Sequence, residues 1–245
     1  MAGTFPTDKK DAVTSRVLSV FPGAAGEVGI GDVLARLRKG DRVLLLVRHA
    51  ERPKIDFDDR TFGGSLPLTP EGERMSEAFG RILRGAADDV QFAASPLLRT
   101  VMTARLVAKG MGLEGAEILE DSRIGNDSAF VRSQLEMWET FRDGLFFDRM
   151  FEYMATGRQH GFNALGPATE AFEDYVLSRF TARLGIFATH DNFIASFLHG
   201  TGGKTDFDHD NWPRFLDSAA IVVSPSGTRS YALVRAGLSD RICGV

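Results

Sequence analysis

Three short segments hold the residue types that can do chemistry. Arg48-His49 is followed by Arg52; Ser95-Pro96-Leu97-Leu98-Arg99-Thr100 brings a third arginine; His190-Asp191 adds a second imidazole and a carboxyl group. Each guanidinium offers a rigid fork of donors that matches the oxygens of a phosphate. An imidazole with one unprotonated nitrogen is a nucleophile, and a carboxyl group beside it can move a proton. A dianion gripped by arginines, attacked by a histidine and relieved of its leaving oxygen by an acid is what phosphoryl transfer asks for, and it asks for little more. Each segment also has a plainer reading. Arg48-His49 can be a strand that ends in solvent, His190 a satisfied core histidine, and Asp191 the cap of the helix that follows it. For Arg99 the plainer reading, an ion pair on its own helix, is weak, because Ser95 and Thr103 at helical spacing are not acidic.

The elements around these segments decide between the readings. Val43-Leu44-Leu45-Leu46-Val47 is a continuous apolar run, the pattern of a parallel strand covered on both faces. It delivers Arg48-His49 to its C-terminal end, and Pro53 stops regular structure soon after. Val90–Ala94 is a second strand, ending at Ser95, and Gly185–Thr189 a third that runs straight into His190. Thr69-Pro70-Glu71 is a helix start, with an N-cap hydroxyl, a first-turn proline and an acid; Met75, Ala78, Phe79, Ile82 and Leu83 follow at helical spacing. A helix from Ser95 to about Lys109, closed by Gly110 and Gly112, follows the second strand. Short helices are read at Asp32–Arg38 and Phe193–His199, a longer one at Thr169–Phe180, and strands at Ala116–Leu119, Ser218–Val223 and Ser230–Val234. Alternating strands and helices predict a three-layer α/β/α fold with a mostly parallel central sheet. In such a sheet the C-terminal strand ends share one edge, so residues far apart in sequence converge there.

One domain over residues 1–245 accounts for the chain. Residues 1–30, with scattered Gly and Pro, read as an N-terminal extension with a short helix near Ala12–Val20. Residues 125–167 break the alternation with a helical, aromatic-rich stretch (Phe130, Trp138, Phe141, Phe146, Phe147, Phe151, Tyr153) that reads as a cap-like insertion whose rings pack it onto the core, with part of it placed to shape a pocket for the organic portion of a substrate. The polar loop from Lys54 to Leu68 is placed to fold over the strand end.

Four motifs in order resemble the histidine phosphatase superfamily, which includes cofactor-dependent phosphoglycerate mutases and histidine acid phosphatases: Arg48-His49-Ala50-Glu51, Leu68-Thr69-x-x-Gly72, Ser95-Pro96-Leu97-x-Arg99-Thr100-x-x-Thr103-Ala104, and the strand-borne His190. The resemblance implies a phosphoglycerate mutase-like fold, transient phosphorylation of His49, and a phosphoryl group held by Arg48, Arg99 and His190. Ala50 stands where glycine is usual. Arg52-Pro53 replaces the Ser-x-x-Asn of the mutases, and Arg52 and His190-Asp191 are similar to the acid phosphatase branch, whereas the Ser95–Ala104 motif is similar to the mutase branch. Features of both branches are therefore mixed, and two acids compete for the role of proton donor. Similarity to the His-Asp pair favours Asp191; Asp121, in Leu119-x-Asp121 with Gly125 after it, occupies the place of the mutase-branch acid, and it also reads as the start of a turn. The expected activity is that of a phosphomonoesterase working through phosphohistidine, with no metal and no cofactor because the arginines supply the charge. A mutase-like phosphoryl transferase and a non-catalytic phosphate-ester or phosphoprotein binding module are the rivals.

Composition narrows the setting. With 33 acidic against 29 basic side chains the net charge is −4, which argues against broad nucleic-acid binding, since that needs a basic face, and predicts that any anion site is local. The single cysteine, Cys243, excludes an intramolecular disulfide and fits a reducing compartment. No apolar run reaches membrane-spanning length and the first residues lack a signal-peptide core, which predicts a cytoplasmic protein with a small phosphate monoester as its partner and leaves oligomeric state open. His160, His199 and His209 read as surface or packing residues, and Asp206, Asp208, His209 and Asp210 as a solvated loop without ordered metal-ligand spacing.

Overall fold

A computed structural model describes residues 26–56 and 58–240. The Ala12–Val20 helix, Cys243 and nearly all of the expected N-terminal extension lie outside the described residues.

Seven strands form one sheet in the order β1-β7-β6-β2-β5-β3-β4: β1 Glu27–Gly29, β2 Arg42–Arg48, β3 Val90–Ala94, β4 Ile118–Glu120, β5 Leu184–Thr189, β6 Ser218–Val223 and β7 Arg229–Arg235. Of these, β6 alone runs against the others, pairing antiparallel with β2 and β7. The strand β2 alternates its side chains between two cores. Val43, Leu45 and Val47 face one in which helices α1 (Ile30–Arg38), α2 (Pro70–Leu83) and α3 (Leu98–Met111) bury Leu37, Phe79 and Val107; Leu44 and Leu46 face the other, with α5 (Phe146–Thr156), α6 (Leu165–Arg179) and α7 (Asp191–Thr201). This is the three-layer α/β fold, and the unbroken apolar run of β2 is its direct cause. A 310 turn at Ser122–Ile124 and helix α4 (Gln134–Phe141) complete the elements.

Several boundaries differ from the sequence reading. Helix α6 starts at Leu165, four residues before Thr169; Pro167 sits in its first turn, where its missing N–H would have no helical partner anyway. Helix α3 starts at Leu98 rather than Ser95, whose hydroxyl is used elsewhere, and α7 starts at Asp191, two residues before Phe193. Residues 27–29, expected within an irregular extension, form edge strand β1 in register with Leu233–Arg235. Three residues are too few to show a period, and the pairing is decided entirely by β7.

Pairing sets the level of the strand ends. Arg48 is in register with Thr189 and Ala94 with Ala188, so His49, Ser95 and His190 leave the sheet at the same edge. The amide of His49 donates to Thr189 O (3.0 Å) and that of Ser95 to Ala188 O (3.0 Å), extending the ladder one residue into the site.

Candidate active site

His49 is buried, and its Nδ1 donates to the carbonyl of Ala50 at 2.8 Å. A carbonyl can only accept, so the proton is on Nδ1 and Nε2 carries the lone pair. The following residue is fixed as well: Ala50 N donates to Thr103 Oγ1 (3.0 Å) from helix α3, and Thr69, the N-cap of α2, donates through its amide to Glu51 O (3.0 Å). Both helices thus grip the backbone that carries the imidazole. Gly72 permits this approach, since a Cβ there would lie 2.2 Å from Glu51 O.

His190 lies beside it, with ring centroids 5.4 Å apart. His190 Nε2 meets Ser95 Oγ at 3.0 Å, and Ser95 Oγ meets Thr100 Oγ1, also at 3.0 Å. The single Thr100 proton points to backbone carbonyls, Ser95 O (2.7 Å) or Leu97 O (2.6 Å). The consistent assignment has Ser95 donating to Thr100 and accepting from His190 Nε2–H. Burial first, then the surrounding arginines, hold both imidazoles well below the ordinary histidine range; for His49 the largest of those charges is Arg99, followed by His190 itself.

Arg99 donates through Nη1 to the carbonyls of Phe62 (3.0 Å) and Gly63 (2.9 Å). Phe62 adopts a left-handed backbone (φ 53°), and its carbonyl is one of the two that orient this guanidinium. Burial and the neighbouring Arg52 lower Arg99 to about 9, a sign of cations crowded together. The Nε atoms of Arg99 and Arg48 are buried without a hydrogen-bond partner. Arg52 lines the same cavity and donates through Nη1 to Pro53 O (2.8 Å).

The site has a back wall that motif spacing does not reveal. Arg48, 1% exposed, does not line the cavity: it donates to Pro213 O, lies over the Phe215 ring at 4.4 Å, and pairs through Nη2 with Asp191 Oδ2 at 3.3 Å. The same Oδ2 accepts from Trp212 Nε1 at 3.0 Å. Asp191 therefore sits at the first turn of α7, lines the cavity, and is held from behind by one cation and one indole. Trp212 escapes sequence reasoning; a lone tryptophan in an irregular segment carries no periodic signal.

Asp121 is placed differently. Its Oδ1 accepts from Arg123 N (3.0 Å) and its Oδ2 from the Tyr175 hydroxyl, and it is not among the residues that line the cavity. Burial opposes its ionisation, but the Tyr175 and Arg123 contacts outweigh burial and hold the carboxyl below its usual range. The structure thus brings together His49, Arg52, Arg99, His190 and Asp191 around one cavity, sets Arg48 behind Asp191, and leaves Asp121 outside.

Residues 44–126 match the model of the histidine phosphatase superfamily (branch 1). Solved structures of similar fold align along most of the chain. A phosphoglycerate mutase from Bacillus anthracis str. Sterne shares 14% identity over 82% of this chain and 95% of its own, with a TM-score of 0.53. A phosphoserine phosphatase from Entamoeba histolytica, in complex with 3-phosphoglyceric acid, shares 16% over 80% and 98% (TM-score 0.53). A mycobacterial glucosyl-3-phosphoglycerate phosphatase shares 14% over 79% and 97% (TM-score 0.52). No curated protein sequence matches the chain.

Among the described residues no helix is long and apolar enough to cross a membrane, and no group of three His, Cys, Asp or Glu side chains is arranged to hold a metal ion. His209 packs edge-on to Phe147 and Phe151, and His160 lies 3.6 Å from Glu139 on the surface. The 54–68 loop and the insertion both reach the cavity: Ile55, Asp56, Asp59 and Phe62 from the first, Met137, Trp138, Phe141 and Arg142 from the second.

Proposed function

We propose that the protein is a phosphomonoesterase working through a phosphohistidine on His49. The observation that carries this reading is the Nδ1–H of His49 on Ala50 O, which leaves Nε2 as a nucleophile among Arg52, Arg99 and His190. Nε2 attacks phosphorus in line; the N–P bond forms as the P–O ester bond breaks. Arg52 and Arg99 take the charge on the phosphoryl oxygens, the unpartnered Nε of Arg99 gains an acceptor, and His190, whose Nε2–H is held by Ser95, joins them once the dianion lets its Nδ1 take up a proton. The lowered basicity of His49 keeps it neutral at the moment of attack, and the arriving dianion relieves the crowding that lowers Arg99 and His190.

Asp191 gives its proton to the departing alkoxide and then takes one from the water that hydrolyses the phosphohistidine. Arg48 serves by holding Asp191 and by adding positive charge beside His49. The cations of the site supply the charge stabilisation, so turnover is expected without added metal or cofactor. Relatives of the same fold named as phosphatases of phosphoserine and glucosyl-3-phosphoglycerate support small phosphate monoesters as the substrate class, and a cytoplasmic setting belongs to the same reading.

The test is hydrolysis of p-nitrophenyl phosphate in EDTA by the wild type and by His49→Ala, with acid-labile, alkali-stable label trapped on the protein from a 32P ester. Metal-independent turnover and labelling, both lost in the variant, are the expected results. Phosphate binding without turnover in the wild type would make the protein a binding module instead. Isomerisation of 3-phosphoglycerate faster than its hydrolysis would make it a mutase, a reading the missing Ser-x-x-Asn after Glu51 disfavours.

A further inference from the structure

The cavity around the two histidines is about 150 Å³, and its walls are far from those a small polar ester would want. Ile55 and Phe62 come from the 54–68 loop, and Met137, Trp138, Phe141 and Phe146 from the insertion helices. The rings on the insertion side are locked. Phe141 packs on Phe146 (centroids 5.0 Å apart) and on Phe162 (5.8 Å), while Phe146 packs edge-on to the fully buried Trp212 (5.8 Å). Trp138 carries the guanidiniums of Arg60 and Arg142 at 5.0 and 5.1 Å from its ring centroid. These contacts hold Trp138, Phe141 and Phe146 in place, which lowers the ordering cost of a ligand that packs on them.

Charge on the rim argues in the same direction. Asp56 and Asp59 line the cavity on the loop side, and Asp59 is kept ionised by the hydroxyl and amide of Thr61 and the amide of Gly63. A second anionic group on the substrate meets these carboxylates. Arg142, the cation that would answer it, is already engaged on Trp138. A neutral ring loses nothing and gains the burial of its surface, with edge-to-face contacts to the wall.

We propose that this site takes phosphate monoesters whose organic part is one neutral aromatic ring, joined to the phosphate directly or through a methylene group. Turnover of such esters rests on the phosphatase reading above; their binding does not. The same chemistry is found in free aryl and arylmethyl phosphates and in the phosphotyrosine side chain of a peptide.

Titration calorimetry of the wild type with benzylphosphonate and methylphosphonate, neither of which can be hydrolysed, isolates the ring. Benzylphosphonate is expected to bind at least about tenfold tighter, with Phe141→Ala cutting that ratio severalfold. Ile55→Ala, on the loop side, repeats the test where loss of Phe141 impairs folding. Equal affinities, or tighter binding of 3-phosphoglycerate or phosphoserine than of benzylphosphonate, would overturn the proposal. Turnover separates it from the reading it builds on: a ring preference in binding with no hydrolysis of any ester sinks the phosphatase and leaves the pocket, whereas hydrolysis of methyl and benzyl phosphate at equal kcat/KM does the reverse. A peptide carrying the non-hydrolysable phosphonate analogue of phosphotyrosine distinguishes the sources, binding tighter than benzylphosphonate if protein side chains are the substrate and weaker if the ester is a free small molecule.

Discussion

Trp212 Nε1 donates to Asp191 Oδ2 at 3.0 Å, and it does so from inside a cage of Phe146, Phe147, Phe151 and Phe207, each with its ring centroid 5.5–5.8 Å from the indole. The indole cannot turn without moving the insertion helix α5, so the carboxyl group proposed to move the proton is oriented by the same aromatic cluster that walls the cavity. Trp212→Phe keeps most of the packing and removes the donor. A hydrogen bond to the neutral carboxyl group that gives the proton contributes on the order of 0.5–1.5 kcal/mol, which corresponds to a loss of roughly twofold to tenfold. That loss is expected in kcat/KM for alkyl phosphates, whose leaving oxygen needs a proton, and not for p-nitrophenyl phosphate, whose leaving group departs as the anion. Equal losses on both substrates would reduce Trp212 to a packing residue.

The two acids separate by the same comparison. Asp191→Asn is expected to lower kcat/KM on an alkyl phosphate by at least about a hundredfold while leaving p-nitrophenyl phosphate within about tenfold. Asp121→Asn, outside the cavity and bonded to Tyr175 and Arg123, is expected to alter neither by more than severalfold. The reverse pattern would hand the proton to Asp121.

Stability should follow the buried histidines. His49 and His190 have folded values well below 6.5, so between those values and about 6.5 the unfolded chain binds protons that the folded chain does not. Their contribution is present above about 6.5 and is lost as pH falls through the folded values. A thermal melt is therefore expected to show a lower Tm at pH 5.5 than at pH 7.5, with a smaller drop in His49→Gln. Inorganic phosphate or vanadate, an anion among the same cations, is expected to raise Tm at both pH values and to shrink the drop. An unchanged melt in saturating vanadate would contradict the anion site.

Gly72 offers a test of how closely helix α2 is drawn to the loop after His49. Gly72→Ala places a methyl group 2.2 Å from the backbone oxygen of Glu51. Overpacking of this kind costs roughly 1–3 kcal/mol, a fall in Tm of several degrees for a chain this size, together with lost turnover. Gly31→Ala, in helix α1 with nothing within 4 Å of the added carbon, is the control and is expected to be neutral or slightly stabilising.

Much of the fold is legible in the amino-acid order. The strand β2 is readable because burial on both faces requires a run with no polar residue, and the N-terminus of α2 because Thr69 and Pro70 are what a helix start demands. Strand ends bearing Arg-His, Ser and His-Asp are readable for the same reason: polar residues directly after buried strands have only the sheet edge to occupy. Edge strand β1 and the early start of α6 are not, since three residues have no period and a proline in a first turn looks like a boundary from outside.

The sequence alone determined which residues are available at the sheet edge, because strand period and helix spacing are local properties. Tertiary structure decided what those residues touch. It turned Arg48 away from the cavity onto Asp191, brought Trp212 to the same carboxylate from a segment with no pattern, gave Asp121 to Tyr175, and folded the insertion's rings into a wall. Each of these depends on contacts between segments distant in the chain, and their geometry is set by how the helices pack on the sheet rather than by anything written near the residues themselves.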